Sequence, residues 1–524
     1  MEDKGQAGQP GKSASGLFDT SHLKHDLARR SISGGVAAIT AQGAKFTLNF
    51  LSIVVLARLL SPGDFGLIAM VTPIVGLITL IRDMGLSAAT IQKQSISDEQ
   101  VSTLFWINVA MSAVLAGLIV ASAPLVSRFY EDPRLIGITA IFGATMLTGG
   151  LSAQHIALLQ RHMLFGQLAV IEVGSMLAGF AVAVVAALYG LSYWSLVLMT
   201  VTTSFVTMVW VWIACRWRPG RPVRGSGIRS MIAFGGHLTG ANLCQYLNRN
   251  LDNILIGKVW GETALGLYNR AYSLLLLPIT QLNGPITNVA LPALSRLQND
   301  PDRYRTYYRK ALGLLVTAGM PLVVFISIEA RPIIGFLLGQ EWLGTVPIFQ
   351  ALAPAAFLGS FNVATGWLYV SLGRTARQLR WAILQTPIIA IGVTIGVQYG
   401  PIGVAAAYSA VMMVLRGPAI AFCLRGTFVR PRDVIGAVLP ASVASIAAGA
   451  CVLAVHAIPS TSFTIQQPFL AIMADAAIYL AFYMAIYCVT PGGQSNVRVM
   501  IDAARKLLRP MMRPANLPSP AAGE

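Results

Sequence analysis

Residues 101–127, VSTLFWINVAMSAVLAGLIVASAPLVS, form a stretch without a single charged side chain. A helix of about 20 apolar residues is long enough to cross the hydrocarbon core of a bilayer, which is about 30 Å thick. Stretches of this kind recur from residue 33 to residue 489. The sequence therefore predicts an all-α integral membrane protein with about fourteen transmembrane helices.

Only short polar connections separate the predicted spans, so no connection can form a sizeable soluble domain. In chain order the spans cover residues 33–60, 65–82, 101–127, 135–160, 163–189, 191–215, 231–257, 264–291, 311–338, 345–372, 379–398, 401–424, 434–457 and 468–489.

The composition supports a membrane location and excludes an ordinary soluble protein. Of the 524 residues 55% are hydrophobic and 11% are charged, and the mean hydropathy is +0.65. The formal net charge of +17 would suggest nucleic-acid binding in a soluble protein. Here lysine and arginine concentrate in alternate loops, which is the positive-inside pattern. We therefore expect no nucleic-acid partner. We expect a multi-pass protein of the cell inner (cytoplasmic) membrane whose two termini are both cytoplasmic. Arginine-rich loops such as 216–229 are better explained by this orientation than by phosphate binding.

The chain contains an internal repeat at a shift of about 200 residues. Residues 57–67 are echoed by residues 257–267, and Tyr189-Gly190 is echoed by Tyr399-Gly400 at the matching helix boundary. Because each copy has six helices, both copies enter the membrane in the same direction. The sequence therefore predicts two parallel-repeat six-helix bundles plus two C-terminal helices.

This organisation divides the chain into six predicted parts. They are a basic cytoplasmic tail (1–32), an N-terminal bundle (33–216), a cytoplasmic linker (217–230), a C-terminal bundle (231–425), two additional spans (434–489) and a second cytoplasmic tail (490–524). Transporters built from repeated bundles bind their substrate between the two copies near the middle of the membrane.

Polar side chains recur at helical spacing in the first and seventh spans. The candidate substrate-binding residues are Gln42, Lys45 and Asn49 in the first span and Gln245, Asn248, Arg249 and Asp252 in the seventh. A charge at the centre of a spanning helix costs about 2.5–3.5 kcal/mol, so these faces are expected to line a wet cavity. Two simpler alternatives remain: Arg249 neutralises Asp252, or Lys45 pairs with Asp252.

Other ionisable residues in the spans are less informative. Arg270, near the outer end of the eighth span, is a further substrate-binding candidate, and Glu172 and Asp252 are weak candidates for ion coupling. Arg416 and Asp475 are as typical of packing pairs as of function. The cysteines lack metal-type spacing, and we expect neither a metal site nor a catalytic residue.

Three segments in the second copy carry a family resemblance. They are LNRNLDNILIG (247–257), ALGLYNRAY (264–272) and LPALSRLQ (291–298). They closely resemble bacterial polysaccharide and lipopolysaccharide biosynthesis transporters, the Wzx-type oligosaccharide flippases. Residues 57–85 and 372–375 look like the same family, and the likeness runs from about Ser33 to Thr427.

The resemblance implies membership of the superfamily that joins multidrug, oligosaccharidyl-lipid and polysaccharide transporters, with two bundles around a central cavity. It implies a flippase that moves undecaprenyl-diphosphate-linked oligosaccharide units to the outer face by alternating access, for exopolysaccharide, capsule or O-antigen synthesis. Arg249 and Lys45 are then candidate contacts for the diphosphate. The implied partners are this substrate, membrane lipids, a polysaccharide polymerase and chain-length or export proteins. No cofactor is expected, and an ion or proton gradient would supply the energy.

Three other functions were weighed against this one. A drug or cation exporter of the same superfamily would favour acidic residues in the cavity. A glycan polymerase or acyltransferase would be an enzyme, and the external loops are too short to build its active site. A membrane scaffold would not need paired polar faces. We therefore expect a transporter and not an enzyme.

Overall fold

A computed structural model gives the architecture of most of the chain. It describes residues 23–82, 90–91, 96–222, 229–458, 467–490 and 493. Within these ranges, the side chains at 23–39, 80–82, 229–245, 247–249 and 360 are not described. The two predicted tails therefore fall largely outside the described residues, as do residues 223–228 of the linker.

The described residues form helices and short 3₁₀ turns, without a strand, which confirms the predicted all-α fold. The helices are α1 (Leu23–Leu59), α2 (Pro62–Arg82), α3 (Asp98–Tyr130), α4 (Arg134–Arg161), α5 (Phe165–Leu188), α6 (Trp194–Cys215), α7 (Arg229–Arg296), α8 (Pro301–Ile328), α9 (Ala330–Leu337), α10 (Thr345–Ser371), α11 (Thr375–Gly396), α12 (Gly400–Leu424), α13 (Pro431–His456) and α14 (Pro468–Val489).

Helix α7 reverses direction at Gly261, where the backbone is not helical (φ 79°, ψ −174°). The Tyr268 hydroxyl donates a hydrogen bond of 2.8 Å to the Asp252 carboxylate. Residues 16 apart in one continuous helix would be about 24 Å apart, so this bond requires the chain to fold back. Glycine suits the reversal because it adopts a positive φ without steric cost. The two arms, 229–260 and 262–296, correspond to two predicted spans.

Twelve helical segments in the described residues are long and apolar enough to cross a membrane. One of them, Asn250–Arg296, contains the second arm of α7 and only the last part of the first arm. Another, Thr375–Leu424, includes α11 and α12, which are separated by the 3₁₀ turn Val397–Tyr399. Each of these two segments contains a break, at Gly261 and at Val397–Tyr399, so the described helices agree with the prediction of about fourteen crossings.

The repeated Tyr-Gly pairs have similar backbone conformations at equivalent turns. Gly190, between α5 and α6, has φ 76°, and Gly400, the first residue of α12 after the turn Val397–Tyr399, has φ 80°. Both values lie in the region that glycine enters readily and other residues avoid. The echo in the sequence therefore reflects a shared need for a sharp turn.

The chain divides by packing into two compact units. The first contains residues 1–269 with Leu337–Trp342, and the second contains Arg270–Phe336 with Leu343–Glu524. This division places the first arm of α7 with the N-terminal helices. It is a different division from the predicted domain boundaries, which rest on the repeat and stay a prediction.

An aromatic cluster at one end of α3, α4 and α6 forms part of the core of the first unit. The His155 ring is fully buried and stacks on Trp212 with centroids 4.4 Å apart. Trp217 and Phe105 pack edge-on or tilted around it. The Nε2 atom of His155 lies 3.3 Å from the carbonyl oxygen of Trp217. Its surroundings are those of a packing residue.

The core of the second unit includes the last two helices. Tyr479, Tyr483 and Tyr487 recur every fourth residue on α14 and are buried. The Tyr483 hydroxyl donates to the Thr317 carbonyl on α8 at 3.0 Å, and the Tyr487 and Thr317 hydroxyls lie 2.8 Å apart. A stripe of buried small residues on α13, namely Ala437, Ala441, Ala444 and Ala448, joins the same cluster. Small residues allow the close helix approach on which packing in lipid depends.

Candidate functional site

Lys45 of α1 forms an ion pair with Glu172 of α5, and the two helices pack against each other. The Lys45 side chain is 30% exposed and the Glu172 side chain 46% exposed. Lys45 therefore has a partner other than Asp252. Sequence reasoning found both residues but did not pair them, because nothing in the spacing of α1 and α5 indicates which turns meet.

The polar residues on either side of Lys45 are exposed. Gln42 and Asn49 are both exposed, whereas Ser52 is buried and donates to the Asn49 carbonyl at 2.8 Å. Placing the amides of Gln42 and Asn49 and the ammonium of Lys45 against lipid chains would be energetically unfavourable. This face of α1, together with Glu172, is therefore suited to a water-filled cavity.

Asp252 is buried and held by local hydrogen bonds. Its carboxylate accepts from the Tyr268 hydroxyl at 2.8 Å and from the Asn253 amide at 2.8 Å. Tyr268 is 1% exposed and was missed in the sequence. A signal was available: Tyr268 follows the Gly261 break by seven residues and Asp252 precedes it by nine, so a hairpin brings them together.

The other predicted residues of the seventh span lie in the first arm of α7. The side chains of Gln245, Asn248 and Arg249 are outside the described residues, so their proposed contacts and the Arg249–Asp252 pair stay predictions. Arg270 is half-buried and is the first residue of the second unit.

The two echoed segments pack directly against each other. A methyl group added at Gly66 would overlap the carbonyl of Glu262, and one added at Gly266 would overlap the carbonyl of Pro62. The contact is reciprocal, because each glycine faces the residue four positions before its repeat equivalent. Segments 62–66 and 262–266 are thus related to each other by a local pseudo-twofold symmetry.

Ion pairs flank this glycine contact. Lys258 binds Glu131 at 2.7 Å, and Arg134 binds Glu262 at 3.0 Å and Asp132 at 2.7 Å. The hydrogen bond and the charge of Lys258 lower the pKa of Glu131. The hydrogen bond from Arg134 likewise lowers the pKa of Asp132. Both acids are thus held in their charged form beside the contact of 62–66 with 262–266.

The motif RLLSPGDFG (58–66) has a structural explanation. Ser61 and Asp64 bond reciprocally at the start of α2, with the Ser61 amide donating to the Asp64 carboxylate at 2.9 Å. The Ser192 hydroxyl donates to the same carboxylate. Arg58 donates to the Leu337 carbonyl at 3.2 Å. These residues fix the end of the helical hairpin.

The two weaker candidates also have partners. Arg416 donates to the Asn362 side chain at 2.6 Å and lies over the Phe361 ring, 5.1 Å from its centroid. Asp475 on α14 lies 3.1 Å from Nε2 of His456 on α13. Arg416 therefore resembles a packing residue, whereas Asp475 belongs to a separate cluster of titratable groups.

The sequence profile of a family described as "Polysaccharide biosynthesis protein" matches residues 55–347, which is more than half of the chain. The chain belongs to this family. The matched region begins in the last residues of α1 and includes α2, the Lys45 partner Glu172 and both arms of α7.

Individual relatives of this polysaccharide biosynthesis protein extend the likeness. Lipopolysaccharide biosynthesis protein WzxC of Escherichia coli K12 is 25% identical over 395 residues, covering 74% of this chain and 80% of the relative. Succinoglycan biosynthesis transport protein ExoT of Rhizobium meliloti 1021 is 23% identical over 486 residues, covering 89% and 94%. The solved structure of lipid II flippase MurJ, in an inward closed conformation, superposes with a TM-score of 0.69 over 92% of this chain and 100% of that chain, at 15% identity. This similarity shows a shared fold.

Proposed function

We propose that the chain is a flippase for lipid-linked oligosaccharides. Its substrate would be an undecaprenyl-diphosphate-linked repeat unit, moved from the cytoplasmic to the outer face of the membrane for exopolysaccharide, capsule or O-antigen synthesis. The family membership, the transport protein among its relatives and the fold shared with a lipid II flippase support this proposal. No catalytic role is assigned to any residue.

The observation that carries the proposal is the exposed charged face of α1 and α5. Lys45 and Glu172 are both partly exposed within apolar helices, with Gln42 and Asn49 exposed beside Lys45. A diphosphate entering this face would compete with Glu172 for the Lys45 ammonium, exchanging one charge-assisted contact for another. The amides would contact sugar or phosphate oxygens. Further candidate substrate-binding residues are Gln245, Asn248, Arg249, Asp252 and Arg270.

The exchange also offers a route to energy coupling. A Glu172 carboxylate released from Lys45 would need a new counter-charge, either a proton or a monovalent cation. Binding of substrate and binding of the coupling ion would then be linked through one residue pair. The same exposed carboxylate favours a second candidate function, the export of a cationic compound, in which Glu172 would bind the substrate itself.

Alternating access requires an outer closure that can open. The reciprocal contact of 62–66 with 262–266, flanked by the ion pairs of Glu131 and Arg134, joins the two sequence copies at one end. We propose that this end faces outwards and that both termini are cytoplasmic in the inner membrane. The repeat-based bundles 33–216 and 231–425 would move apart here. A polysaccharide polymerase and chain-length or export proteins would receive the flipped unit.

The test is to delete the gene and determine on which leaflet the lipid-linked repeat unit collects. We expect the precursor to accumulate on the cytoplasmic leaflet and the surface glycan to disappear, with both effects reversed by the wild-type chain. Single repeat units reaching the outer face in the deletion strain would instead indicate a polymerase defect. An unchanged surface glycan combined with greater sensitivity to cationic compounds would support the exporter.

A further inference from the structure

Glu329, His456 and Asp475 bring three ligand-type atoms together at the ends of three helices. Glu329 follows the last residue of α8, His456 is the last residue of α13, and Asp475 lies in the second turn of α14. One ligand atom from each residue lies within 4.8 Å of the other two. All three residues belong to the second unit, and none takes part in the face around Lys45.

Burial makes this cluster unusual. Glu329 is 4% exposed, and no hydrogen bond reaches its carboxylate from any residue that the structure describes. The Asp475 side chain is 20% exposed and the His456 side chain 43% exposed. A buried carboxylate that faces a second carboxylate is unfavourable unless a positive charge lies between them. Histidine supplies at most one positive charge against the two negative charges.

The geometry fits a small divalent cation. His456 Nε2 and Asp475 Oδ1 are 3.1 Å apart. In a tetrahedral zinc site, bonds of about 2.0–2.2 Å place neighbouring ligand atoms about 3.3–3.6 Å apart, so His456 and Asp475 need only a small adjustment and the Glu329 carboxylate has to approach them. Imidazole and carboxylate ligands together suit Zn²⁺ and similar transition metals, whereas Mg²⁺ and Ca²⁺ prefer oxygen ligands alone.

We propose that Glu329, His456 and Asp475 form a binding site for one divalent transition-metal ion of the Zn²⁺ type, with a remaining position for water. The ion takes the place of the proton shared by His456 and Asp475 and neutralises both carboxylates. It joins the end of α8 to the α13–α14 pair. No spacing motif in the sequence indicates this site, because its ligands come from three separate helices.

The experiment uses the full-length protein, purified through a tag without histidine and stripped with a chelator. Wild type should bind one equivalent of Zn²⁺ and gain thermal stability from it, while Mg²⁺ at the same concentration should give no comparable gain. Removing a hydrogen-bond partner of a ligand costs about 10–100-fold in affinity, and removing a ligand should cost at least as much. We therefore expect Glu329→Gln, His456→Gln and Asp475→Asn each to bind Zn²⁺ at least about tenfold more weakly.

Two controls separate loss of the site from misfolding. Asp302→Asn removes a carboxylate whose side chain is 97% exposed on the same unit, and it should bind Zn²⁺ like wild type. Metal-free Glu329→Gln should be at least as stable as metal-free wild type, because one of two facing carboxylates is gone. Absence of saturable binding in wild type would overturn the proposal. So would unchanged binding in all three ligand variants, or an equal gain in stability with Mg²⁺.

Discussion

Gly66 and Gly266, which occupy equivalent positions in the two sequence repeats, each face the backbone of the other repeat: Gly66 the Glu262 carbonyl and Gly266 the Pro62 carbonyl. Neither position has room for a β-carbon. Gly66→Ala and Gly266→Ala should each destabilise the protein by about 1–3 kcal/mol, the usual cost of overpacking. Thermal unfolding of the purified variants measures this cost.

Gly117→Ala is the matched control for these two substitutions. Gly117 is also within a helix, and no described atom would lie within 4 Å of its added methyl group. Alanine favours the helix over glycine, so this variant should be as stable as wild type or slightly more stable. If Gly66→Ala and Gly266→Ala unfolded at the same temperature as Gly117→Ala, the result would contradict the close contact between the two segments.

The Lys45–Glu172 pair allows a test of substrate binding that separates it from structure. Lys45→Gln and Glu172→Gln each leave a charge without its partner, whereas the double variant leaves none. Folding and stability should therefore recover in the double variant. If Lys45 binds the diphosphate, that stable double variant should still fail to deliver glycan to the surface, because a neutral amide cannot replace the charged contact.

Surface glycan and lipid-linked precursor are quantified in the deletion strain that expresses each variant. Arg416→Gln is a comparison variant, since Arg416 is a spanning-helix cation already held by Asn362. Near-normal export by the Lys45→Gln, Glu172→Gln double variant would make this pair structural and remove Lys45 from the proposed site.

The stability contributed by Asp132 should depend on pH. Its pKa lies below the ordinary value because Arg134 donates hydrogen bonds to its carboxylate. The folded protein therefore binds this proton less readily than the unfolded chain. The contribution is present above about pH 4, the ordinary range of an aspartate, and is lost as the pH falls through the lowered pKa.

Asp132→Asn should consequently melt below wild type at neutral pH, and the difference should shrink as the pH falls below about 4. Melting curves of both proteins over this range measure it. Asp302→Asn, at an exposed position, should follow wild type throughout. A constant difference between Asp132→Asn and wild type at every pH would mean that the charge of Asp132 is not involved.

Topology can be tested with cysteines placed at exposed turns. Tyr189 is 83% exposed and Tyr399 75% exposed, and both turns should face outwards. On a background without native cysteines, an impermeant thiol reagent applied to intact spheroplasts should label Tyr189→Cys and Tyr399→Cys. It should label Asp302→Cys only after the membrane is opened. The opposite pattern would invert the proposed orientation.

Hydropathy was sufficient to predict the helices because a bilayer admits few alternatives for a long apolar stretch. The helical breaks were also visible, since residues 257–267 and Tyr399-Gly400 stood out through the repeat. The partners of buried polar groups were not predictable in the same way. Glu172 and Lys45 lie on helices separated by many residues, and only tertiary packing decides which turns face each other.

The repeat predicts duplication but not the contact between the duplicated segments. The echo of Gly66 in Gly266 predicted duplication, yet it did not predict that the two glycines pack on each other's segment. Direct contact follows only if the pseudo-twofold axis passes between the echoed segments. Tyr268 shows a similar limit, because its bond to Asp252 depends on how tightly the chain turns at Gly261.

The three buried tyrosines of α14, Tyr479, Tyr483 and Tyr487, have an evolutionary consequence. Tyr483 and Tyr487 both bond to Thr317 of α8, and buried alanines of α13 complete the same core. A homologue without the last two helices would expose the Thr317 hydroxyl to lipid. It would also expose the surface of α8 that packs on the small residues of α13. Such a loss would be tolerated only after compensating changes on α8. Loss of the two C-terminal helices would therefore remove both tyrosine partners of Thr317 and part of the core of the second unit.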